Sequence, residues 1–537
     1  MEACRSIGVQ VPHLCYHPAL KVVGSCRLCK VEVVRNDRRW IDISCKLEVA
    51  DGMEIFTDSP AVVKARRMTL EFLLANHPLD CPVCDEAGEC KLQDFYFQYA
   101  LHDSRMIEVK TRKHKAQDVG PSIVLDGERC VLCSRCVRFL ADITHTFELG
   151  IFGMGSREEL SVKPGGRLDN EYAGNVVDIC PVGALTDKDF RFKRRVWYLR
   201  SAPSVCQLCS RGCNVRIDYD LDPYHINKRT FQMRTHRTEA TAYQRIQRVK
   251  PRPNQAVNGY WICDLGRYGY RSTDTADRLL TAMLRSEDEL KSVSLPDAVR
   301  AMAKGLGSAL KGTKNKLAVV VSPLLTNEEV FAVWSLFHEK LALPNLDHRL
   351  PIDPDWTGDD LLRTPDPFPN RMGCEWIGFL PGEDGVGVKE LPDAIRSGKV
   401  DTLISILADP MMFLDEPAVK RLKRRYIIAR ELTEGSRSWA DVMLPAAAWG
   451  EYRGTFTNFQ GRVQRLEAAF EPLGDARPVW SLMVELSAAL KKNLRWKSAD
   501  EVLRSIGLSV RLFQGLALDE IDAEGVMLGS QGKRAAG

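Results

Sequence analysis

The stretch from His77 to Cys90 has the residue types and spacing of a metal-ligand shell. It reads HPLDCPVCDEAGEC and places one histidine and three cysteines in the pattern H-x3-C-x2-C-x5-C. Imidazole and thiolate groups bind both zinc and iron–sulfur clusters in proteins. This stretch by itself leaves both kinds of site open. The expected ligands, called the His77 set below, are His77, Cys81, Cys84 and Cys90.

The segment before His77 is expected to form a helix that ends at this site. Ser59 and Pro60 fit an N-cap followed by the first helical position. Pro78 cannot continue a helix, so His77 should lie at the helix end and the three cysteines on the loop beyond it. The apolar residues expected on one face of this helix are Val63, Leu70, Leu73 and Leu74.

Cysteine is the unusual component of this composition. Of the 17 cysteines, 16 lie before residue 264 and only Cys374 lies beyond it. Disulfide frameworks are typical of small secreted chains, and a chain of 537 residues whose first 20 lack the regions of a signal peptide does not fit that class. Metal ligation is therefore the better interpretation.

The remaining composition is that of an ordinary globular protein. Hydrophobic residues make up 45% and charged residues 27%, and the net charge of +4 is too small to indicate binding to nucleic acid or to an anionic membrane. No run of about 18 apolar residues occurs. The protein is expected to stay in the compartment where it is made, at a length that allows roughly three to four domains.

A second cysteine set lies near the start of the chain, with the spacing C-x10-C-x2-C-x15-C. It resembles the plant-type 2Fe–2S arrangement, which has four residues where this chain has ten. The alternating KVEVV predicts a strand and Asp51-Gly52 a turn, so a small strand-rich unit should hold the set. Zinc is the alternative, and Cys4 is expected to be a buried apolar residue. The members of this Cys15 set are Cys15, Cys26, Cys29 and Cys45.

A third set begins with CVLCSRC at residues 130–136 and continues, 43 residues later, with Cys180-Pro181. A C-x2-C-x2-C run with a distant Cys-Pro is the bacterial ferredoxin signature. Because only one such run occurs, its cysteines must ligate a single 4Fe–4S cluster among themselves, unless they hold zinc or are purely structural. The Cys130 set consists of Cys130, Cys133, Cys136 and Cys180.

A fourth set has the spacing C-x2-C-x3-C, and its last member follows after 49 residues in WICDLGRYGY. This signal is weaker, because Cys263 could simply be a buried residue. Between the third and fourth sets, RFKRRVWYLR (191–200) is strongly basic and is expected to be a solvated connector between domains. The Cys206 set consists of Cys206, Cys209, Cys213 and Cys263.

After Gly266 the pattern changes to alternating strands and helices. Residues 326–343 predict a helix with Thr326 or Asn327 as its N-cap. Alternating elements with fully apolar strands predict a parallel sheet in a doubly wound domain. The segments expected to form buried strands are LAVVVSP (317–323), TLISILAD (402–409) and YIIAR (426–430).

Two late segments are expected to be irregular. GTFTNFQGR (454–462) contains two glycines but neither a GxGxxG motif nor a P-loop lysine, which favours a surface loop over a ligand cradle. Residues 525–537 are small, polar and glycine-rich, which favours disorder.

The four sets in this order resemble the large iron–sulfur subunit (the G subunit) of the proton-pumping NADH:quinone oxidoreductase, respiratory complex I. The likeness spans nearly the whole chain. The segments that carry it are VPHLCYHPAL, GSCRLCKVEV, NHPLDCPVCDEAGECKLQDF, RCVLCSRCVRF, GNVVDICPVGALTDK, SVCQLCSRGCNVRID, WICDLGRYGY and ADVMLPAAAWGEYRGTFTNFQGRVQ.

The resemblance implies a multidomain α+β and α/β fold. A 2Fe–2S ferredoxin-like (β-grasp) unit without its first hairpin should come first, so either the true start lies upstream of Met1 or a partner covers an exposed sheet edge. Small cluster domains and a shortened molybdopterin-oxidoreductase-like α/β domain with a parallel sheet and a flexible tail should follow. The expected boundaries are 1–60 for the 2Fe–2S unit, 61–100, 101–200 and 201–270 for three 4Fe–4S domains, and 271–537 for the last domain.

The resemblance also implies the cofactors and partners. The Cys15 set matches the ligands of one 2Fe–2S cluster, and the other three sets each match a 4Fe–4S cluster, the Cys206 cluster being kept only by some bacterial members. Electrons should come from a partner subunit that binds NADH and FMN and leave toward iron–sulfur subunits nearer quinone. The chain should lie in the peripheral arm on the cytoplasmic side of the bacterial inner membrane, contacting the membrane only through the complex, and bind no nucleic acid.

No catalytic residue and no binding residue for another cofactor is expected in this chain. Cys374, in NRMGCEWIG, sits where similar sequences commonly carry a small residue, so no molybdopterin is expected. One alternative is an NAD-linked, molybdenum-dependent formate dehydrogenase, in which Cys374 would be the metal ligand. An iron-only hydrogenase would need a late cysteine set that is absent here. A zinc-stapled scaffold without redox function is the third alternative.

Overall fold

The computed structural model describes residues 1–221, 244–287, 289–311 and 314–529. The chain divides into two compact units, Met1–Leu199 and Arg200–Gly537. The finer division into five domains remains a prediction. Of the helices in the described ranges, none combines the length and the apolar character needed to cross a membrane.

The first unit consists of short elements joined by long cysteine-bearing loops. Its helices are α1 Glu2–Ser6, α2 Pro60–Asn76, α3 Lys91–Tyr99, α4 Arg135–Asp142 and α5 Asn175–Ile179. Its strands are β1 Lys30–Arg35, β2 Arg38–Ile43, β3 Glu54–Phe56, β4 Gln117–Asp118, β5 Ile123–Leu125, β6 Leu149–Phe152, β7 Glu159–Val162 and β8 Leu185–Asp187. They form antiparallel sheets in the orders β2-β1-β3, β4-β5-β8 and β6-β7.

Helix α2 begins and ends as predicted. The Ser59 hydroxyl accepts a hydrogen bond from the Val62 backbone N–H at 3.3 Å, and Pro60 occupies the first turn, where its missing N–H costs nothing. The helix ends at Asn76, directly before the residue that precedes Pro78. Leu70 is fully buried in the core of this unit, which fixes the position of the helix end.

The predicted strand in KVEVV is confirmed as β1. Val31 and Val33 are buried while Arg35 is exposed. The hairpin to β2 turns at Asn36 and Asp37, both with positive φ, a conformation that these residue types tolerate better than most. Three members of the Cys15 set, Cys15, Cys26 and Cys29, precede β1, and the fourth, Cys45, follows β2.

The second unit is built around one large sheet. Its helices are α6 Asp264–Tyr268, α7 Leu295–Leu310, α8 Asn327–Trp334, α9 Arg371–Ile377, α10 Leu391–Arg396, α11 Glu416–Arg421, α12 Glu434–Trp439, α13 Val479–Ala489 and α14 Ala499–Ser509. Its strands are β9 Arg200–Val205, β10 Asn214–Tyr219, β11 Ile246–Pro251, β12 Ala282–Ser286, β13 Glu289–Val293, β14 Leu317–Val321, β15 Asn345–Asp347, β16 Thr402–Ile406, β17 Arg424–Ala429, β18 Val442–Pro445, β19 Gly454–Thr457, β20 Arg462–Leu466 and β21 Val526–Met527.

The large sheet has the order β13-β12-β18-β17-β16-β14-β15. Strands β14 to β18 pair in parallel, as predicted, whereas β12 and β13 add an antiparallel edge that the sequence analysis missed. Side chains alternate between the two faces of a strand, so Val319 and Val321 enter one core and Val320 enters the other. This two-sided burial explains why β14 is apolar throughout.

The predicted helix at 326–343 is confirmed, with one difference. Thr326 is its N-cap and forms a capping box with Glu329. After Trp334 the helix continues as a π-helical segment, Ser335–Lys340, and ends before residue 343.

Two predictions of irregular structure are wrong. Residues 454–462 are not a surface loop, because they contain β19 and lead into β20, and Phe456 is fully buried. The disorder expected from residue 525 is wrong for the start of that segment, because Val526–Met527 pairs with β20. The rest of that tail, from residue 530, lies outside the described residues.

Strand β19 is held by a buried carboxylate. The backbone N–H and the hydroxyl of Thr455 donate to Glu328 at 2.8 Å each. Glu328 is fully buried, and burial raises its pKa to about 7. Because the pKa of this carboxyl is higher in the folded chain than its ordinary value, its contribution to stability is present at low pH and is lost as the pH rises toward 7.

Glu328→Gln should therefore stabilise the protein more at pH 8 than at pH 5.5. The glutamine has no charge to bury, so the difference in unfolding free energy between variant and parent should shift by about 2 kcal/mol across this range. Thermal unfolding of both proteins at the two pH values tests this. Glu416→Gln, at an exposed position, is the control and should show no such trend. An equal effect of Glu328→Gln at both pH values would contradict the prediction.

Candidate metal centres

The Cys15 set lies in a buried loop region of the first unit. Cys15 and Cys29 are almost completely buried, and the Leu14 backbone N–H donates to the Cys26 Sγ at 3.5 Å. A hydrogen bond from Cys26 lowers the pKa of Cys15, and one from Cys45 lowers the pKa of Cys29. The structure thus places the four sulfur atoms in one group. Their ligation of iron remains a prediction.

The His77 set begins where α2 ends. His77 is the C-cap of α2, and a 3₁₀ turn, Cys81–Val83, presents the first cysteine. Burial lowers the pKa of His77 to about 4, so the imidazole is neutral at pH 7. Its Nδ1 is buried and has no hydrogen-bond partner among the described residues. A neutral imidazole with a free nitrogen has the chemistry of a metal ligand.

The cysteines of the His77 set differ in exposure. Cys84 and Cys90 are buried whereas Cys81 is exposed. Burial raises the pKa of Cys84 and raises that of Cys90 to about 12. A buried thiol becomes a good ligand only when a metal cation stabilises its thiolate.

The Cys130 set lines one small cavity together with apolar side chains such as Leu160 and Val182. The chain curls here because Leu132 and Ser134 both adopt positive φ before α4 begins. Burial raises the pKa of Cys130 and Cys133 to about 11. The spacing correctly predicts that Cys180 returns to the CVLCSRC loop, since all four residues border this cavity.

The Cys206 set is the one set of the four in which every member is buried. The Cys206 backbone N–H donates to the Cys213 carbonyl at 2.8 Å, which closes the loop. Cys263 caps α6, and its Sγ accepts a hydrogen bond from the Gly266 N–H at 3.3 Å. Burial raises the pKa of Cys206, with a further rise from Cys263 beside it. The structure therefore brings Cys263 to the other three cysteines.

All 17 cysteines lie in the described residues, and none of them forms a disulfide. Cys4, expected to be buried, is partly exposed and packs against the small N-terminal core. Within the described ranges, no group of three or more histidine, cysteine, aspartate and glutamate side chains has the arrangement of a single metal ion site.

The basic segment 191–200 has a role that the sequence analysis missed. Arg195 donates to the Cys84 carbonyl at 2.6 Å and also to the Pro82 carbonyl. The Phe192 N–H donates to the buried Asp85 carboxylate at 3.0 Å. The expectation of a purely solvated connector is thus wrong for these residues, which hold the loop of the His77 set. The aromatic residues between the basic ones were the only signal of packing in the sequence.

Cys374 does not have the surroundings of a metal ligand. It lies within α9, is fully buried and belongs to the apolar core beneath the large sheet. A cavity of about 280 Å³ lies at the carboxyl ends of β16 and β17, where doubly wound domains bind ligands. Cys374 is not among the described residues that line it.

Sequence models of four protein families match the chain. A 2Fe-2S iron-sulfur cluster binding domain matches residues 1–60, and the NADH-ubiquinone oxidoreductase-G iron-sulfur binding region matches residues 66–105. The ferredoxin-like domain of NADH-quinone oxidoreductase subunit 3 matches residues 120–186. Molybdopterin oxidoreductase matches residues 384–489. These matches confirm the predicted order of ferredoxin-like, cluster-binding and molybdopterin-oxidoreductase-like parts.

Two curated relatives of this chain carry the same name. The G subunit of NADH-quinone oxidoreductase from Rickettsia felis is 28% identical over 96% of this chain and 88% of that protein. The equally named protein of Streptomyces coelicolor is 35% identical over 83% of this chain and 50% of that protein. Among solved structures, that of an NAD+-reducing [NiFe]-hydrogenase is similar over 36% of this chain and 82% of its own, with a TM-score of 0.33 and 34% identity.

Gly183 provides a test of the His77 set. A Cβ added at this glycine would collide with the Cys84 Sγ and lie 3.0 Å from the Glu86 Cβ. Gly183→Ala should displace Cys84 and reduce bound iron by up to about four atoms per chain. Iron and acid-labile sulfide assays measure this. Gly307→Ala is the control, because a Cβ there meets nothing within 4 Å. Equal iron in the two variants would contradict the prediction.

Proposed function

Because the chain belongs to the family of the large iron–sulfur subunit (the G subunit) of NADH-quinone oxidoreductase, we propose that it relays single electrons between iron–sulfur clusters from the NADH side of that enzyme toward quinone. The observation that carries the proposal is the spacing of sixteen potential ligands in four sets along the chain, together with the one cavity that all four cysteines of the Cys130 set line. Iron–sulfur clusters transfer one electron at a time and need no acid–base residue beside them.

We propose that each set holds one cluster. The Cys15 set would ligate a 2Fe–2S cluster, and the His77, Cys130 and Cys206 sets would each ligate a 4Fe–4S cluster. The neutral His77 makes its shell less negative than an all-cysteine shell by one charge, which should raise the reduction potential of that cluster, other factors being equal. The free Nδ1 of His77 and the four sulfurs around one cavity in the Cys130 set support these assignments.

The proposed electron path begins on a partner subunit that binds NADH and FMN. An electron would enter the 2Fe–2S cluster, pass the clusters of the Cys130 and His77 sets, and continue to an iron–sulfur subunit nearer quinone. The Cys206 cluster would lie off this path and act structurally. As part of a peripheral arm on the cytoplasmic side, the chain would contact the membrane only through other subunits.

A molybdenum-dependent formate dehydrogenase is not favoured. That function would need Cys374 as a metal ligand, but its side chain packs in the apolar core instead. Burial also strongly raises the pKa of this thiol, which disfavours the thiolate that a metal would need.

Anaerobically purified protein should contain about fourteen iron atoms and about as many sulfide ions per chain, and no stoichiometric molybdenum. This sum follows from one 2Fe–2S and three 4Fe–4S clusters. Elemental analysis with low-temperature EPR of the dithionite-reduced protein measures it. About ten iron atoms would mean that one 4Fe–4S set is empty. Stoichiometric molybdenum would favour the dehydrogenase, and zinc without sulfide would rule out electron transfer.

The loop of the Cys206 set is anchored in the large domain. The Ser210 N–H donates to the Asp366 carbonyl at 3.0 Å, and the Gln464 amide donates to the Gly212 carbonyl at 2.8 Å. The Arg430 guanidinium donates to the Gln207 side chain at 3.1 Å. A cluster in this loop would therefore hold together segments that are distant along the chain.

Cys209→Ala should consequently reduce the amount of assembled enzyme more than the turnover of the enzyme that does assemble. Yield from native gels and NADH:quinone activity per assembled complex measure the two effects separately. Cys4→Ala, outside all four sets, is the control and should change neither. A variant with normal yield and low turnover would place the Cys206 cluster on the electron path, whereas normal yield and normal turnover would remove both roles.

A further inference from the structure

Arg138 connects the loops of two different ligand sets. It lies in the first turns of α4 and donates hydrogen bonds from Nη2 to the backbone carbonyl of Cys15 and, at 3.3 Å, to that of Cys133. Its Nη1 donates to the Lys21 carbonyl. One guanidinium thus joins a residue of the Cys15 set directly to a residue of the Cys130 set.

Arg135 makes a second connection of the same kind one helical turn earlier. Its Nη2 donates to the backbone carbonyl of Tyr16, the residue after Cys15, and its Nη1 donates to the carbonyl of Ile179 at 3.0 Å. Ile179 directly precedes Cys180. Residues three apart on a helix share a face, so both arginines project toward the Cys15 loop. The two bridges hold that loop against both segments of the Cys130 set.

The charge of Arg135 lacks a carboxylate partner within the described residues. The side chain is 4% exposed, makes no ion pair with a carboxylate, and its Nε has no hydrogen-bond partner there. Arg138, Lys91, His13 and His17 also interact with it electrostatically, and none of these four supplies a negative charge. A buried cation without a counter-charge is strongly unfavourable.

The anionic groups near Arg135 are cysteine sulfurs of both sets. Ionised Cys133, Cys180 and Cys15 each favour its charged form. A cluster ligated by four thiolates carries net negative charge, and its reduced form carries one more. A cluster in each set would supply the counter-charge that the protein itself does not.

We infer that Arg135 and Arg138 are positioning residues for electron transfer between the clusters of the Cys15 and Cys130 sets, where they fix the two ligand loops together and share their positive charge between both clusters. This inference rests on the proposed function. In the step itself, one electron leaves the 2Fe–2S cluster, which is oxidised, and enters the 4Fe–4S cluster, which is reduced. No bond is formed or broken, and the arginines keep their protons.

Removing the Arg135 charge should lower both reduction potentials, because the reduced clusters are the more negative states and lose a nearby cation. In Arg135→Gln, the reduced-to-oxidised ratio of each cluster at the parent's midpoint potential should fall about tenfold, equivalent to 59 mV for a one-electron couple. Arg135→Lys keeps the charge and should change both ratios less. EPR-monitored redox titration of the assembled enzyme measures both clusters in one sample.

Lys21→Gln is the matched control. It removes a cation from the same loop, but the Lys21 side chain is 84% exposed and pairs with Asp142 at the surface, so solvent screens its charge. Its potentials should equal those of the parent. If Lys21→Gln moved them as far as Arg135→Gln, the effect would come from net charge and the inference would be wrong.

Arg138→Gln is a second test, for the case that the Arg135→Gln protein does not incorporate clusters. Arg138 is only half-buried, so its replacement should leave the core intact. It should shift both potentials in the same direction by a smaller amount. Both EPR signals with unchanged potentials, or a shift confined to one cluster, would overturn the inference and leave the proposed function standing. Absence of both signals from the parent protein would overturn the proposed function and the inference with it.

Discussion

Burial of thiol groups is the constraint on which the first unit depends. Desolvation raises the pKa of Cys130 and Cys133 to about 11 and that of Cys180 to about 12. Metal ligation requires the thiolates, whose charge is costly in apolar surroundings. Iron cations can offset that cost. Folding of these loops and cluster insertion are therefore expected to be coupled, and the short strands and helices around them serve mainly to fix where the chain turns.

The arginine side chains of the first unit also support the loops that carry the buried thiols. Arg195 and Arg138 donate hydrogen bonds from their guanidinium groups to backbone carbonyls of the ligand loops. Arg195 binds the carbonyl of Cys84 and Arg138 that of Cys133. Arg129 also lies near Cys84 but is neutralised in part by Asp80. Arginine suits this role because its planar group reaches several acceptors at once and stays charged when buried. The basic residues of this unit thus hold the loops, and their positive charge would also lower the free-energy cost of binding the proposed anionic clusters.

Local patterns predicted the parts of this structure that depend on neighbouring residues. The C-x2-C run in each ligand set, the N-cap at Ser59 and the apolar strand at 317–321 can each be recognised from a few neighbouring residues. Strand β19 could not be recognised in this way, because it is fixed by the pairing of Thr455 with Glu328, 127 residues away. The bridging role of Arg135 and Arg138 was missed for the same reason. Their partners, Tyr16 and Cys15, are about as distant along the chain.

The large domain of the second unit stabilises the loop of the Cys206 set. It can do so although Cys374, its one cysteine outside that set, is buried in the apolar core. The loop that carries Cys206, Cys209 and Cys213 has little regular structure, and it is anchored by contacts with residues 364–366, 458–464 and 430. Each of these contacts comes from a different part of the domain. Removing the domain would leave the buried polar groups of the loop without partners, at a cost that a few free thiols could not offset. The domain therefore acts as a scaffold for this loop, and such a role requires no ligand in the cavity at the carboxyl ends of β16 and β17.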